Sequence, residues 1–295
     1  RVTLNRFRYL SSGRYEPMTS IVSRPIGTST VLRTELRKLV AQKRARFTLL
    51  GCALAPFVVT FVLSGQQRPP KDTLYGRHIP ESGFAVALFV LTFVSQWVLP
   101  FVTAIVAGDI FASEDHYGTW KTLLTRSASR SRVFAAKCLA AALFATVALL
   151  VLAAGTLAAG VLVVGRQDLV GLSGQLLASP TAAVVVAAAW ATALPPLLAF
   201  TAIAILLSVL TRSPTLGVVG TIVLGLVTQL LGWLGGFDPE RRWLPSTPFD
   251  AWHGLLTEHR FYGLITQGLL VSGTWIAVCI AIAYTVLRRR DITGG

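Results

Sequence analysis

Charge is scarce in this 295-residue chain: Asp, Glu, Lys and Arg together make up 14% of it. Soluble domains carry about 25%. Apolar residues reach 53% and the mean hydropathy is +0.63, so there is too little polar surface to clothe a water-facing globule. A soluble domain, a disordered chain and a coiled coil are excluded together. Cysteine is also scarce. Cys52, Cys138 and Cys279 lie inside apolar stretches, which excludes a disulfide scaffold and leaves them as small buried hydrophobes. The only methionine is Met18. No GxxxxGK[ST] phosphate loop, HExxH helix or GxSxG elbow occurs, so nucleotide binding, zinc proteolysis and serine hydrolysis by those devices are absent from this chain. His253, His259, Asp250 and Glu258 match no established ligand spacing and are taken as polar loop residues, with no metal expected. The reading is of a chain that is not itself an enzyme.

What remains is lipid-facing length. Six segments meet the roughly 20-residue spanning criterion: 47–65, 83–107, 133–165, 180–210, 216–236 and 263–287. The third and fourth exceed a hydrocarbon core of about 30 Å, so they must tilt, kink or project. Pro195 and Pro196 lie mid-way along the fourth and predict a kink there. The predicted spans hold no ionisable group near their centres; Asp109 and Lys137 sit at their ends. Without a carboxylate buried at depth, a proton- or ion-driven carrier is disfavoured. Gln96 and Gln229 are the main polar side chains within spans, candidates for interhelical hydrogen bonds or for a substrate path. The expected fold is an all-α polytopic membrane protein with six transmembrane helices.

The net charge of +14 would suggest nucleic acid in a soluble protein. Here it is spread unevenly over the loops, and no nucleic-acid partner is expected. With six spans the loops alternate between two faces. One face carries 20 Lys and Arg, the other seven together with seven acids. The positive-inside rule makes the first face cytoplasmic, with both termini on it. Residues 1–27 read as a flexible cytoplasmic N-terminus with no secretory signal, the first span serving as an uncleaved insertion signal. Residues 28–46 form an amphipathic interfacial helix, with Val31, Leu32, Leu36, Leu39 and Val40 on one face and Arg33, Arg37, Lys38, Lys43 and Arg44 on the other, its cations against membrane lipid. Residues 47–290 are the transmembrane domain. The outer stretch 237–262 alternates aromatics with prolines and predicts a re-entrant or interfacial segment before helix six.

The second cytoplasmic connection is the most informative piece. Glu114 and Asp115 precede a glycine break at Gly118, and Thr119 can cap a short amphipathic helix whose apolar face is Trp120, Leu123 and Leu124. An acidic pair, a break and an exposed Trp120 together suit insertion into a groove on a partner protein, with Glu114 paired to a basic group there. Glu114, Gly118, Thr119, Leu123, Leu124, Arg130 and Lys137 follow the pattern E…GT…LL…R…K, and in it the chain resembles permease subunits of type-2 ABC transporters, a family of drug, lantibiotic, sodium and polysaccharide exporters. Ser127 or Ala128 stands where that pattern usually has a proline. The resemblance covers roughly residues 28–290. It implies a homodimer with two separate ABC ATPase subunits, a cytoplasmic coupling helix within residues 114–132, ATP and Mg held by the partner ATPase with no cofactor in this chain, a hydrophobic or amphipathic cargo, and the plasma membrane of a prokaryote. The alternative is a non-transporting membrane sensor or assembly scaffold with the same ATPase partner.

The charge division yields the first prediction. Single cysteines at Ser173 and Thr257 should react with an impermeant thiol reagent added to sealed cells, and one at Ser129 should not. Labelling at Ser129 would reverse the orientation.

Overall fold

Six stretches too apolar to be solvated are each helical in the computed structural model, which describes residues 27–65, 73–120, 129–233 and 238–290. They are Lys43–Ser64, Gly83–His116, Arg130–Val163, Ser179–Thr211, Pro214–Gly232 and Gly263–Arg289. The chain is an all-α polytopic membrane protein. The second and fourth spans form its interior, with 61% and 67% of their most apolar windows buried, against 17%, 28% and 22% for the first, fifth and sixth. The third packs on the first and second, and the fourth on the fifth and sixth. Residues 1–26, which hold most of the predicted flexible N-terminus, lie outside the described residues.

The long spans bend where proline removes a donor. Pro100 follows a π turn at Val94–Val98, where the N–H of Leu99 reaches back to the carbonyl of Val94. Proline has no N–H, and its ring crowds the carbonyl four residues earlier. That carbonyl belongs to Gln96, so the ladder widens by one residue. In the fourth span the helix stops at Thr192 and restarts at Leu194, with Pro195 and Pro196 in the new first turn. There a missing N–H costs nothing.

The helix ahead of the first span ends sooner than its pattern suggested. It runs Thr28–Ala41, Gln42 is extended, and the first span begins at Lys43. The tail of the predicted interfacial segment therefore belongs to the first span. The break is held by Arg46, whose Nε donates to the carbonyl of Val40 at 2.5 Å, filling an acceptor that a helix end leaves open. Val40 is itself 68% exposed, so it is not part of the packed face. Residues Val31, Glu35 and Leu39 are buried at four-residue spacing, and this stripe lies on the third span.

At the opposite end the connections are ordered. A hairpin absent from the sequence reading pairs Leu169–Val170 with Leu176–Leu177. The proline-rich stretch forms a short helix at Asp238–Arg241 and a 3-10 helix at Thr247–Leu255. Its aromatics divide. Phe249 and Trp252 are fully buried, while Trp243, Phe261 and Tyr262 are exposed; only the last three suit the headgroup layer.

Two glycine pairs let backbones touch at either end of the second span. A Cβ on Gly83 or Gly160 would collide with the other's backbone carbonyl, and the same holds for Gly108 and Gly217. Small residues at such crossings are what bring membrane helices together. Gly217→Val should therefore destabilise the folded chain by about 1–3 kcal/mol, seen as a lower midpoint in detergent thermal unfolding, whereas Gly232→Val, in open space, should leave it unchanged.

Candidate functional site

The second span ends in a short helix, Ala112–His116. Its leading N–H groups have no partners within the helix. Ser208, on the fourth span, accepts them both: Oγ takes the N–H of Phe111 at 3.1 Å and of Ala112 at 3.0 Å. This anchors the turn that carries Glu114.

Glu114 is buried, and its partner lies within the chain. The expected pairing with a basic group on another protein is thereby corrected. Lys137, on the third span, is 1% exposed and directs Nζ to Glu114 Oε1 at 2.9 Å, Glu35 Oε2 at 3.0 Å and the carbonyl of Ile110 at 3.0 Å. An ammonium has three protons to donate, and all three are used. Lys38 adds contacts to Glu35 at 3.0 Å and Glu114 at 3.2 Å, closing a cluster of two cations and two anions. Burial alone would lower the pKa of Lys38, yet the Glu35 and Glu114 carboxylates carry it above the usual lysine value. Arg44 pairs with Asp109 beside this cluster. Buried carboxylates therefore exist in this bundle, but at its end and paired with cations.

Beyond Glu114 the chain turns back on itself. Gly118 has φ +64°, a conformation that side chains with a Cβ disfavour. Thr119 returns its N–H to the carbonyl of Glu114 at 3.1 Å and its hydroxyl to the Glu114 carboxylate. The hydroxyl thus serves the cluster. Trp120, expected to project, is 5% exposed. Its ring lies 6.3 Å from that of Phe111, and its Nε1 donates to Asp115 Oδ1 at 3.1 Å. The apolar environment that an indole needs is provided by the bundle. The side chain that does project is Tyr117, 73% exposed, with the His116 ring edge-on at 5.0 Å. Leu123 and Leu124, with Ser127 and Ala128, lie outside the described residues.

A second link ties this turn to the chain's last helix. Arg290 meets Asp115 Oδ2 at 3.1 Å. Arg130 donates Nη1 to the carbonyls of Arg288 at 3.1 Å and Arg290 at 2.8 Å, where a cation complements a helix C-terminus. Gln96 and Gln229 belong to neither link. The first is half-buried in the π turn and the second buried on the fifth span, which packs against that turn. Pro195 and Pro196 sit at the break in the fourth span.

Glu35, Lys38, Tyr117 and Ser208 were missed by sequence reasoning. Glu35 had a legible signal, being a lone acid at four-residue spacing between Val31 and Leu39.

Six spans with an ordered, ion-locked turn at one end define a helical membrane protein that presents a small fixed surface beyond the bilayer. A family model described as ABC-2 family transporter protein matches residues 31–228, more than half of the 295 residues, and the chain belongs to that family. It is a multi-pass permease of the ABC transporter class, whose ABC-2 membrane subunits work with ATPase partners. The matched stretch holds all four members of the ion cluster. Comparison with curated proteins finds no match.

Removing one partner of a buried ion pair commonly costs about 3–5 kcal/mol, because the other charge is left uncompensated. Lys137→Met leaves Glu35 and Glu114 with Lys38 alone and should lower stability by that order in detergent unfolding. Arg166→Met, on the opposite end, should have no such effect.

Proposed function

We propose that this chain is the permease of an ATP-driven exporter, working as a homodimer with two ABC ATPase subunits that hold ATP and Mg. The observation that carries the reading is Tyr117, an exposed aromatic ring on a turn that the family match includes. The ring is presented by residues that cannot easily yield. Ser208 fixes the start of the short helix, the ion cluster fixes Glu114, and Asp115 is held by Trp120 and Arg290.

In this reading the residues divide by task. Tyr117 docks in a groove on the ATPase, and the turn around Gly118 and Thr119 transmits movement. Glu114 and Lys137 convey that movement to the second and third spans and, through Glu35, to the N-terminal helix. Trp120 and Arg130 serve as internal supports. The end bearing the cluster is cytoplasmic, by the division of 20 basic residues against seven. The cargo is hydrophobic or amphipathic, and Gln96 and Gln229 are the polar positions along its path. This chain contributes binding and motion, and the chemistry belongs to the partner.

Alanine substitution of an aromatic anchor commonly costs 2 kcal/mol or more in binding, about thirtyfold in affinity. Tyr117→Ala should fold and insert normally yet lose co-purifying ATPase and cargo-stimulated ATP hydrolysis in reconstituted vesicles, tested with hydrophobic drugs, peptides and lipids. Tyr262→Ala, exposed at the other end, is the control. Undiminished ATPase recovery and hydrolysis in Tyr117→Ala would refute the docking role.

A further inference from the structure

At the end opposite the ion cluster, the 3-10 helix Thr247–Leu255 leans on the start of the sixth span. Between them lies a pocket of about 590 Å³. Its polar lining includes Arg242, Asp250, His253 and Gln267, and its apolar lining includes Leu264 and Val271. Leu264, Gln267 and Val271 recur at helical spacing and share one face of the sixth span. The same face continues as Trp275, Val278 and Ile282, of which Val278 is 48% and Ile282 42% exposed. Trp275 donates Nε1 to the carbonyl of Trp243 at 2.9 Å, joining the pocket's rim to the groove below. The pocket thus adjoins an apolar face of the sixth span that is partly exposed.

The sign of the pocket follows from its groups. Burial raises the pKa of the Asp250 carboxyl, although His253 and Arg241 draw it back. Burial lowers that of the His253 imidazole, against the pull of Asp250. Arg241 and His253 thus face Asp250 and offset its charge, and Arg242 is the cation of the lining. The first turn of the sixth span, Gly263 and Leu264 included, borders the pocket and carries no acidic residue, so its N–H dipoles reinforce the positive potential. The exposed rings of Trp243, Phe261 and Tyr262 set this level at the headgroup layer.

We propose that the pocket is a binding site for an anionic phospholipid of the bilayer, its phosphate at Arg242 and Gln267 and an acyl chain along Trp275, Val278 and Ile282. The site stands apart from the ATPase contact and does not depend on it.

Native mass spectrometry of the full chain in detergent tests this with three probes: phosphatidylglycerol, a galactosyl diacylglycerol with the same chains, and glycerol 3-phosphate. Phosphatidylglycerol should be retained, and the other two should not. Arg242→Gln should weaken its retention roughly tenfold, as expected for loss of one charge-assisted hydrogen bond. Arg242→Lys should keep most of it, and Arg260→Gln, outside the pocket, all of it. Equal retention of the galactolipid would overturn phosphate recognition. Equal binding of glycerol 3-phosphate would overturn the acyl-chain groove. Unchanged retention in Arg242→Gln, or an equal loss in Arg260→Gln, would overturn the site itself. A photo-reactive residue at Leu264 should crosslink to lipid; crosslinking to a second copy of the chain would overturn the assignment of this face.

Discussion

One ammonium group organises the charged end of this permease. Lys137 is buried between Glu35 and Glu114 with each of its protons placed. Removing an ion from water costs several kcal/mol even after relaxation, so the lysine is tolerable only where two carboxylates and a carbonyl replace its hydration. The need is mutual. Glu35 comes from the N-terminal helix, Glu114 from the turn after the second span, and Lys137 from the third. Parting any two of these three segments breaks at least one ion pair of Lys137 or Lys38, and so they are held as one body.

The second span carries that constraint through the membrane. It is among the most buried of the six, and glycine crossings pin it at both ends, Gly83 to Gly160 and Gly108 to Gly217. Its π turn precedes Pro100, so the helical ladder is widened in the middle of the span, where Gln96 sits. The sixth span contributes differently. Its charged end is held through Arg290 and Arg130, while its other end borders the pocket lined by Arg242 and Gln267, so one helix joins both surfaces.

The spans were legible because a bilayer leaves composition little freedom: twenty apolar residues can do little else. The boundaries drifted where tertiary contacts decide them. Nothing local marks Gln42 as a break, since the break depends on Arg46 capping Val40 and Arg44 reaching Asp109. The hairpin at Leu169–Leu177 escaped notice because two residues per strand leave no period to read. Within the site, the structure gives the named residues other surroundings than the sequence suggested. Trp120 reads as exposed in a loop sequence and becomes core once Phe111 folds beside it. Glu114 reads as seeking an external cation because its internal ones lie 23 residues further on, at Lys137, and 76 residues earlier, at Lys38. The projecting ring, Tyr117, was passed over because periodicity says nothing about which side of a turn faces outward.

The claim that three segments share one charge is tested most directly by a double-mutant cycle. Stability in detergent would be measured for the parent, Glu35→Gln, Glu114→Gln and the pair together. Because both carboxylates serve the same ammonium, the two losses should fail to add by an interaction energy within about 0.5–3 kcal/mol. If instead the double variant loses the sum of the two single losses, within about 0.3–0.5 kcal/mol, the carboxylates act independently. The N-terminal helix and the turn of Tyr117 would then not move as one.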